Sequence, residues 1–121
     1  MSYIDGFLIV CPKKNLAAYK KMAQFGKKLW MKYGALQYIE GLGDDLSPAG
    51  FPMTFPKIVK AKPTDVVLFS FIIYKNKAHR DRVNKKVMAD PAMNDPKLKK
   101  KPMPFEMKDM AYGGFKAIVE A

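Results

Sequence analysis

The stretch VVLFSFIIY, residues 66–74, decides the fold class of this 121-residue chain. It is rich in β-branched and aromatic residues, and it is apolar at both alternating sets of positions except at Ser70. Such a run is typical of a β-strand with two apolar faces. We therefore expect a strand here, and we expect each of its faces to need a packing partner.

The residues on either side of this strand extend the pattern to two rounds of strand and helix. Some segments have strand character, whereas in others the apolar residues recur at helical spacing. Asn15 suits the N-cap of the first helix, and Gly34 suits its end. The predicted strands are residues 3–11, 35–42, 66–74 and 111–119, and the predicted helices are residues 15–33 and 77–91.

The order strand, helix, strand, strand, helix, strand predicts a ferredoxin-like α+β fold of the βαββαβ type. Right-handed crossovers put both helices on one face of a four-stranded antiparallel sheet. In the first strand, Ile4 and Leu8 lie on the face opposite to Tyr3 and Phe7, and both faces are apolar. Because the helices cover only one face, we expect a homodimer packed sheet to sheet, a dimeric α+β barrel.

Length and composition favour a single domain over residues 1–121, with no metal and no cofactor. The chain has one cysteine, Cys11, and one histidine, too few for an internal disulfide or an ordinary zinc site. No apolar stretch approaches the roughly 20 residues that cross a bilayer, and the N-terminal residues do not have the pattern of a secretion signal. We therefore expect a cytoplasmic protein that does not bind membranes.

The candidate ligand-binding residues are Asp5, Arg80 and Asn84. Arg80 and Asn84 lie one turn apart on the arc of the second helix that should meet the sheet, and a buried arginine needs a carboxylate or several carbonyl groups as partners. Two interpretations stay open. In one, Arg80 pairs with an acidic residue such as Asp5 or Glu106, and Asn84 holds a loop. In the other, Arg80 and Asn84 line a pocket for an anion or an amide.

Asp5 is also the candidate catalytic residue. In the space between two sheets, its carboxylate would be partly desolvated and its pKa raised, which is the condition for an acid or base. Glu40 and Ser70 are weaker candidates of the same kind. His79 has no orienting carboxylate in the sequence, and a structural role is the simpler interpretation. The residues from Met103 to Phe115 are expected to form a covering lid or a dimer contact.

The net charge of +11 attracts phosphate-bearing partners, although attraction alone does not make a nucleic-acid-binding protein. The alternative function is RNA binding by two groups of lysines, one on the outward face of the first helix and one on the loop after the second. These lysines are Lys20, Lys21, Lys27, Lys28 and Lys32 on the helix, and Lys97, Lys99, Lys100 and Lys101 on the loop.

Four ordered motifs resemble those of the YbaA-like proteins, a bacterial family of unknown function. They are YIDGF at residues 3–7, VxFSxIxY at 67–74, RDxxNxKVMADP at 80–91 and MPFxMKxMxYGGF at 103–115. The resemblance covers nearly the whole chain. It implies a cytoplasmic bacterial protein with a dimeric, ferredoxin-like α+β barrel, and it implies no particular activity.

The leading interpretation is a small homodimeric protein that binds a small molecule between sheet and helices or between two sheets. If the protein is an enzyme, its chemistry is expected to use Asp5 without a cofactor, with Arg80 and Asn84 positioning the ligand. Nucleic-acid binding by the two groups of lysines is the alternative.

Overall fold

Four antiparallel strands form one open sheet in the computed structural model, which describes residues 1–121. The strands are Tyr3–Pro12 (β1), Gln37–Leu42 (β2), Asp65–Tyr74 (β3) and Met110–Lys116 (β4), in the order β2-β3-β1-β4. The helices are Leu16–Lys32 (α1), Phe55–Ile58 (α2), Lys77–Ala89 (α3) and Pro96–Lys100 (α4), with 3-10 turns at Lys13–Asn15 and Met107–Asp109. The predicted class, α+β with a four-stranded antiparallel sheet, is confirmed.

Strands β1 and β3 form the centre of the sheet, and they are its longest and most apolar strands. They pair over all ten residues of each strand, beginning with Tyr3 opposite Tyr74. The edge strand β2 pairs with β3 so that Glu40 lies opposite Ser70. Because directly opposite residues of neighbouring strands lie on the same face of a sheet, Glu40 and Ser70 project to the same side.

Helices α1 and α3 cover one face of the sheet with apolar side chains. Leu29 of α1 and Val83 and Val87 of α3 are buried in one cluster with Ile72 and Tyr74 of β3. A second cluster lies toward the beginning of α1, and its members are Ile9, Cys11, Tyr19, Leu68 and Phe105. Burial of each large aliphatic side chain stabilises the fold by roughly 1.5–3 kcal/mol. None of the helices combines the length and apolar character that a membrane crossing requires.

The other face of the sheet is apolar and open. Phe69 and Phe115 are 50% and 60% exposed on this face, and a groove of about 580 Å³ runs along it. The ring of Phe55 in α2 lies 6.4 Å from the ring of Phe69, so the segment between β2 and β3 covers part of the face. An exposed apolar face of this kind is uncommon on a protein that acts alone.

Asp90 directly follows α3, and its carboxylate connects the end of α3 to the end of α1. The Lys32 ammonium donates to one carboxylate oxygen at 3.0 Å, and the Tyr33 hydroxyl donates to the same atom. The backbone N–H of Ala92 donates to the other oxygen at 2.7 Å. The Tyr33 hydroxyl, the Ala92 amide and the Lys32 ammonium together lower the pKa of Asp90 to about 2.

The last strand is shorter than predicted. It ends at Lys116 and not at residue 119, because the partner strand β1 begins at Tyr3, which pairs with Lys116. The last backbone contact is the hydrogen bond from the Ala117 N–H to the Ser2 carbonyl at 3.0 Å. Ile118 and Val119, which made the sequence look like a continuing strand, are exposed.

Helix α4 lies where the sequence analysis predicted a loop. The side chain of Asp95 accepts a hydrogen bond from the Lys97 N–H at 2.9 Å, and Pro96 occupies the first turn. Both are ordinary helix-start signals, but the helix has only five residues and no apolar periodicity. Met88 of α3 is exposed, although it follows the buried Val87.

Candidate functional site

A cavity of about 520 Å³ lies between α1, the helix-covered face of the sheet and the chain from Met93 to Phe105. Most of its walls are apolar, and Phe7, Met22 and Trp30 contribute to them. Small-molecule sites commonly have this size, with apolar walls and a few polar groups that fix orientation. The cavity is therefore the candidate functional site.

Glu40 of β2 supplies a hydrogen-bonded carboxylate to this cavity. The Tyr19 hydroxyl donates to its Oε1 atom at 2.6 Å, and the Tyr38 hydroxyl donates to its Oε2 atom at 2.8 Å. Tyr38 lies two residues before Glu40 in the same strand, so strand alternation puts both side chains on the same face. Tyr19 reaches the carboxylate from α1, and the two tyrosines hold one oxygen each.

The two tyrosines remain proton donors at neutral pH. Burial is the largest cause that raises the pKa of Tyr19 and of Tyr38, and the neighbouring Glu40 charge raises both further. A carboxylate has about four lone-pair positions, so each Glu40 oxygen can still accept a hydrogen bond. The arrangement therefore offers an acceptor, already oriented, to a hydroxyl or amine in the cavity.

Ser70 places a second polar group on the cavity wall. It lies opposite Glu40 in the neighbouring strand and is 4% exposed, and its side chain lines the cavity. A hydroxyl both donates and accepts hydrogen bonds. Glu40 and Ser70 thus form the polar part of the cavity floor, and most of the surrounding wall is apolar.

The chain before β4 forms the roof of the cavity. Phe105 packs on Tyr19 with 5.9 Å between the ring centroids, and the Pro104 carbonyl accepts a hydrogen bond from the Asn15 amide at 3.0 Å and from the buried Cys11 thiol at 3.5 Å. The predicted lid from Met103 to Phe115 thus contributes its first residues to the roof. Burial raises the pKa of Cys11, so this thiol is not activated.

Asp5 and Arg80 form an ion pair under α3, away from the cavity. Arg80 Nη1 donates to Asp5 Oδ1 at 2.7 Å, and the Tyr112 hydroxyl donates to the same oxygen at 3.1 Å. The Arg80 guanidinium also lies 4.9 Å from the centre of the Tyr3 ring, and its Nε donates to Asp81 at 2.8 Å. The contact to Asp5 is the first of the two arrangements that the sequence left open.

The face on which Asp5 lies differs from the expectation. Asp5 was expected in a space between two sheets. Its side chain instead projects toward the helix layer and is 2% exposed. Burial raises the pKa of Asp5, although Arg80 and the Tyr112 hydroxyl act in the opposite direction. A catalytic or ligand-binding role for Asp5 and Arg80 stays a prediction.

Asn84 joins two elements and does not hold a loop. Its side-chain oxygen accepts hydrogen bonds from Trp30 Nε1 at 3.0 Å and from the Tyr74 hydroxyl at 3.3 Å. It therefore ties α3 to α1 and to β3. Its predicted role in ligand binding stays a prediction, while its neighbour Trp30 reaches the cavity wall.

His79 has a local structural partner. Its Nδ1 atom accepts a hydrogen bond from the Lys75 N–H at 3.0 Å. Burial, followed by the Lys75 charge, lowers the pKa of the imidazole, so it is neutral at physiological pH. It does not line the cavity.

The lysines of the nucleic-acid alternative are exposed on α1 and on or beside α4. Two of them, Lys21 and Lys101, also line the cavity. Binding of RNA or DNA by these lysines stays a prediction.

Comparison with known proteins decides the family. A family profile described as "Protein of unknown function (DUF1428)" matches residues 2–107. The chain belongs to the DUF1428 family. Its relatives include the "Uncharacterized protein YbaA" of Escherichia coli K12 and that of Shigella flexneri, each 38% identical over 120 residues, which is 99% of this chain and 99% of the relative. The resemblance to the YbaA-like proteins is confirmed, and DUF1428 carries no stated activity.

Proposed function

We propose that this chain binds a small, largely apolar molecule in the cavity between α1 and the sheet, with Glu40 accepting a hydrogen bond from a hydroxyl or amine of the ligand. The observation that carries the proposal is the Glu40 carboxylate, held by two tyrosine hydroxyls at 2.6 and 2.8 Å in a mostly apolar cavity. Such a carboxylate is fixed in position before a ligand arrives, so little ordering is required on binding.

Isothermal titration calorimetry with 2-naphthol tests this function, because the probe is an uncharged aromatic molecule with one hydroxyl. Ala23→Phe places a ring where Ala23 lines the cavity, and it is expected to weaken binding by about tenfold or more, the equivalent of about 1.4 kcal/mol. Ala17→Phe makes the same change on an exposed part of α1 and is expected to leave the affinity unchanged. Equal binding by the two variants, or none by the wild type, contradicts the proposal.

A homodimer packed through the open face of the sheet is the quaternary structure that accompanies this function. The element order and the strand order β2-β3-β1-β4 support a ferredoxin-like arrangement, and the apolar groove on the open face supports packing against a second copy. The single unpaired cysteine supports a reducing compartment, and a cytoplasmic location stays a prediction.

Light scattering tests the dimer. Phe71→Lys places a charge in the apolar groove, which a packed sheet face cannot solvate, and we expect it to convert a dimer into a folded monomer. Ile118→Lys changes an exposed apolar residue that lies outside the sheet, and we expect it to remain dimeric. A monomeric wild type would refute the dimer and would leave the cavity proposal intact.

A further inference from the structure

The cavity lining combines charges of opposite sign on different elements of the fold. Its lining contains three charged side chains, Lys21, Glu40 and Lys101. Glu40 projects from a strand of the sheet, whereas Lys21 lies on α1 and Lys101 directly follows α4. Both lysines are exposed, whereas Glu40 is half-buried. We therefore define the lysine side as the mouth of the cavity and the sheet side, with Glu40, as its floor.

The two lysines at the mouth have no carboxylate partner in the chain. The lysines that form salt bridges are Lys32 with Asp90 and Lys108 with Glu106. Lys21 and Lys101 belong to neither pair, and their ammonium groups can turn toward an anion at the mouth. The net charge of +11 adds a long-range field of the same sign.

The floor of the cavity excludes the anionic part of a ligand. A second negative group beside the Glu40 carboxylate would lose hydration and would meet a like charge in mostly apolar surroundings. A ligand with an acidic group therefore lies in one orientation, with that group at the lysines and its hydrogen-bond donor at Glu40. The walls between the two ends are mostly apolar and suit a hydrocarbon or aromatic body.

From this arrangement we infer that the ligand class is an amphipathic acid: a carboxylate at one end, an apolar body, and a hydroxyl or amine at the other end. This inference rests on the proposed function, since it specifies the ligand of the same cavity. The carboxylate pairs with Lys21 and Lys101, the body fills the apolar section, and the donor group reaches Glu40.

Calorimetric titration with three probes tests the inference. The probes are 6-hydroxy-2-naphthoate, which has both end groups, 2-naphthol, which lacks the carboxylate, and 2-naphthoate, which lacks the hydroxyl. We expect the wild type to bind 6-hydroxy-2-naphthoate most tightly, with a gain over 2-naphthol of about tenfold at low salt, as two partly exposed ion pairs can supply.

The decisive variant is Lys21→Gln with Lys101→Gln, and its charge-matched control is Lys28→Gln with Lys99→Gln. Lys28 lies on α1 and Lys99 lies on α4, two residues before Lys101, and neither lines the cavity. The first variant is expected to bind 6-hydroxy-2-naphthoate no more tightly than 2-naphthol, and its affinity for 2-naphthol is expected to be unchanged. The control is expected to bind 6-hydroxy-2-naphthoate and 2-naphthol with the affinities of the wild type.

Each remaining outcome is informative. If both double variants lose the preference for 6-hydroxy-2-naphthoate equally, the inference is overturned, since the preference then comes from the overall positive charge and not from a site at the mouth. No advantage of 6-hydroxy-2-naphthoate in the wild type also overturns it, while 2-naphthol binding that Ala23→Phe blocks leaves the proposed function standing. If Ala23→Phe affects none of the probes, the proposed function fails and the inference fails with it.

Discussion

Replacing Arg80 with methionine is expected to destabilise the chain by about 3–5 kcal/mol, the usual result of removing one partner of a buried ion pair. The side chain of Asp5 is 2% exposed, and Arg80 Nη1 lies 2.7 Å from its carboxylate. Without the guanidinium, the remaining donors to Asp5 are the neutral hydroxyls of Tyr112, at 3.1 Å, and Tyr74, and neutral hydrogen bonds do not offset a buried charge. Urea unfolding at neutral pH measures the loss.

The destabilisation should become smaller as the pH falls. In the wild type, burial holds the pKa of Asp5 above its ordinary value of 3.8, and removing Arg80 raises it further. A carboxyl whose pKa is higher in the folded chain than in the unfolded chain stabilises the fold at pH values below its unfolded-state pKa. This stabilisation is lost as the pH rises through the folded-state pKa. The difference between wild type and Arg80→Met is therefore expected to be largest near pH 7 and to narrow toward about pH 4.

A double variant separates the buried charge from lost packing. Asp5→Asn combined with Arg80→Met removes both charges, and it is expected to be more stable at pH 7 than Arg80→Met alone. The narrowing with pH should also disappear, since no carboxyl remains at residue 5. If the double variant is as unstable as Arg80→Met at every pH, the ion pair is not the cause of the loss.

Glu40→Leu is expected to destabilise the chain by about 2–3 kcal/mol, because it removes the acceptor of two tyrosine hydroxyls. Tyr19 is buried and Tyr38 is half-buried, so water replaces the lost acceptor only in part. Glu40→Gln keeps one oxygen acceptor and is expected to lose less. Thermal and urea unfolding measure both changes.

Two comparisons show whether the tyrosine contacts explain the loss. Glu106→Leu changes an exposed glutamate paired only with Lys108, and it should shift stability by no more than about 0.5 kcal/mol. The triple variant with Tyr19→Phe, Tyr38→Phe and Glu40→Leu removes donors and acceptor together, and it should recover stability relative to Glu40→Leu. Equal stability of Glu40→Leu and Glu106→Leu would mean that these hydrogen bonds contribute little.

The sequence predicted the main strands and helices because their signals are local. Strand β3 has an unbroken run of β-branched and aromatic residues, and α1 has an apolar arc at helical spacing. The signals failed where they conflicted with tertiary contacts, as at Ile118 and Val119. At Pro96–Lys100 the helix has only five residues, too few for an apolar pattern at helical spacing to be recognised.

The candidate site was only partly predictable, because the sequence could not show which face of the sheet encloses space. It identified Arg80 as a buried cation in need of a carboxylate, and Asp5, 75 residues away, was among the named partners. It ranked Glu40 below Asp5, since nothing in the sequence shows that Tyr19 reaches Glu40 from α1. The spacing of Tyr38 and Glu40, two residues apart in a strand, was the one available signal.

The position of Trp30 gives the protein an internal optical probe. Trp30 is the only tryptophan, it lines the cavity, and its indole donates to Asn84 of α3 at 3.0 Å. Its fluorescence therefore reports two events. Separation of α1 from α3 exposes the indole to water, and an aromatic ligand bound in the cavity accepts excitation energy from the indole. No added dye is needed to watch either event.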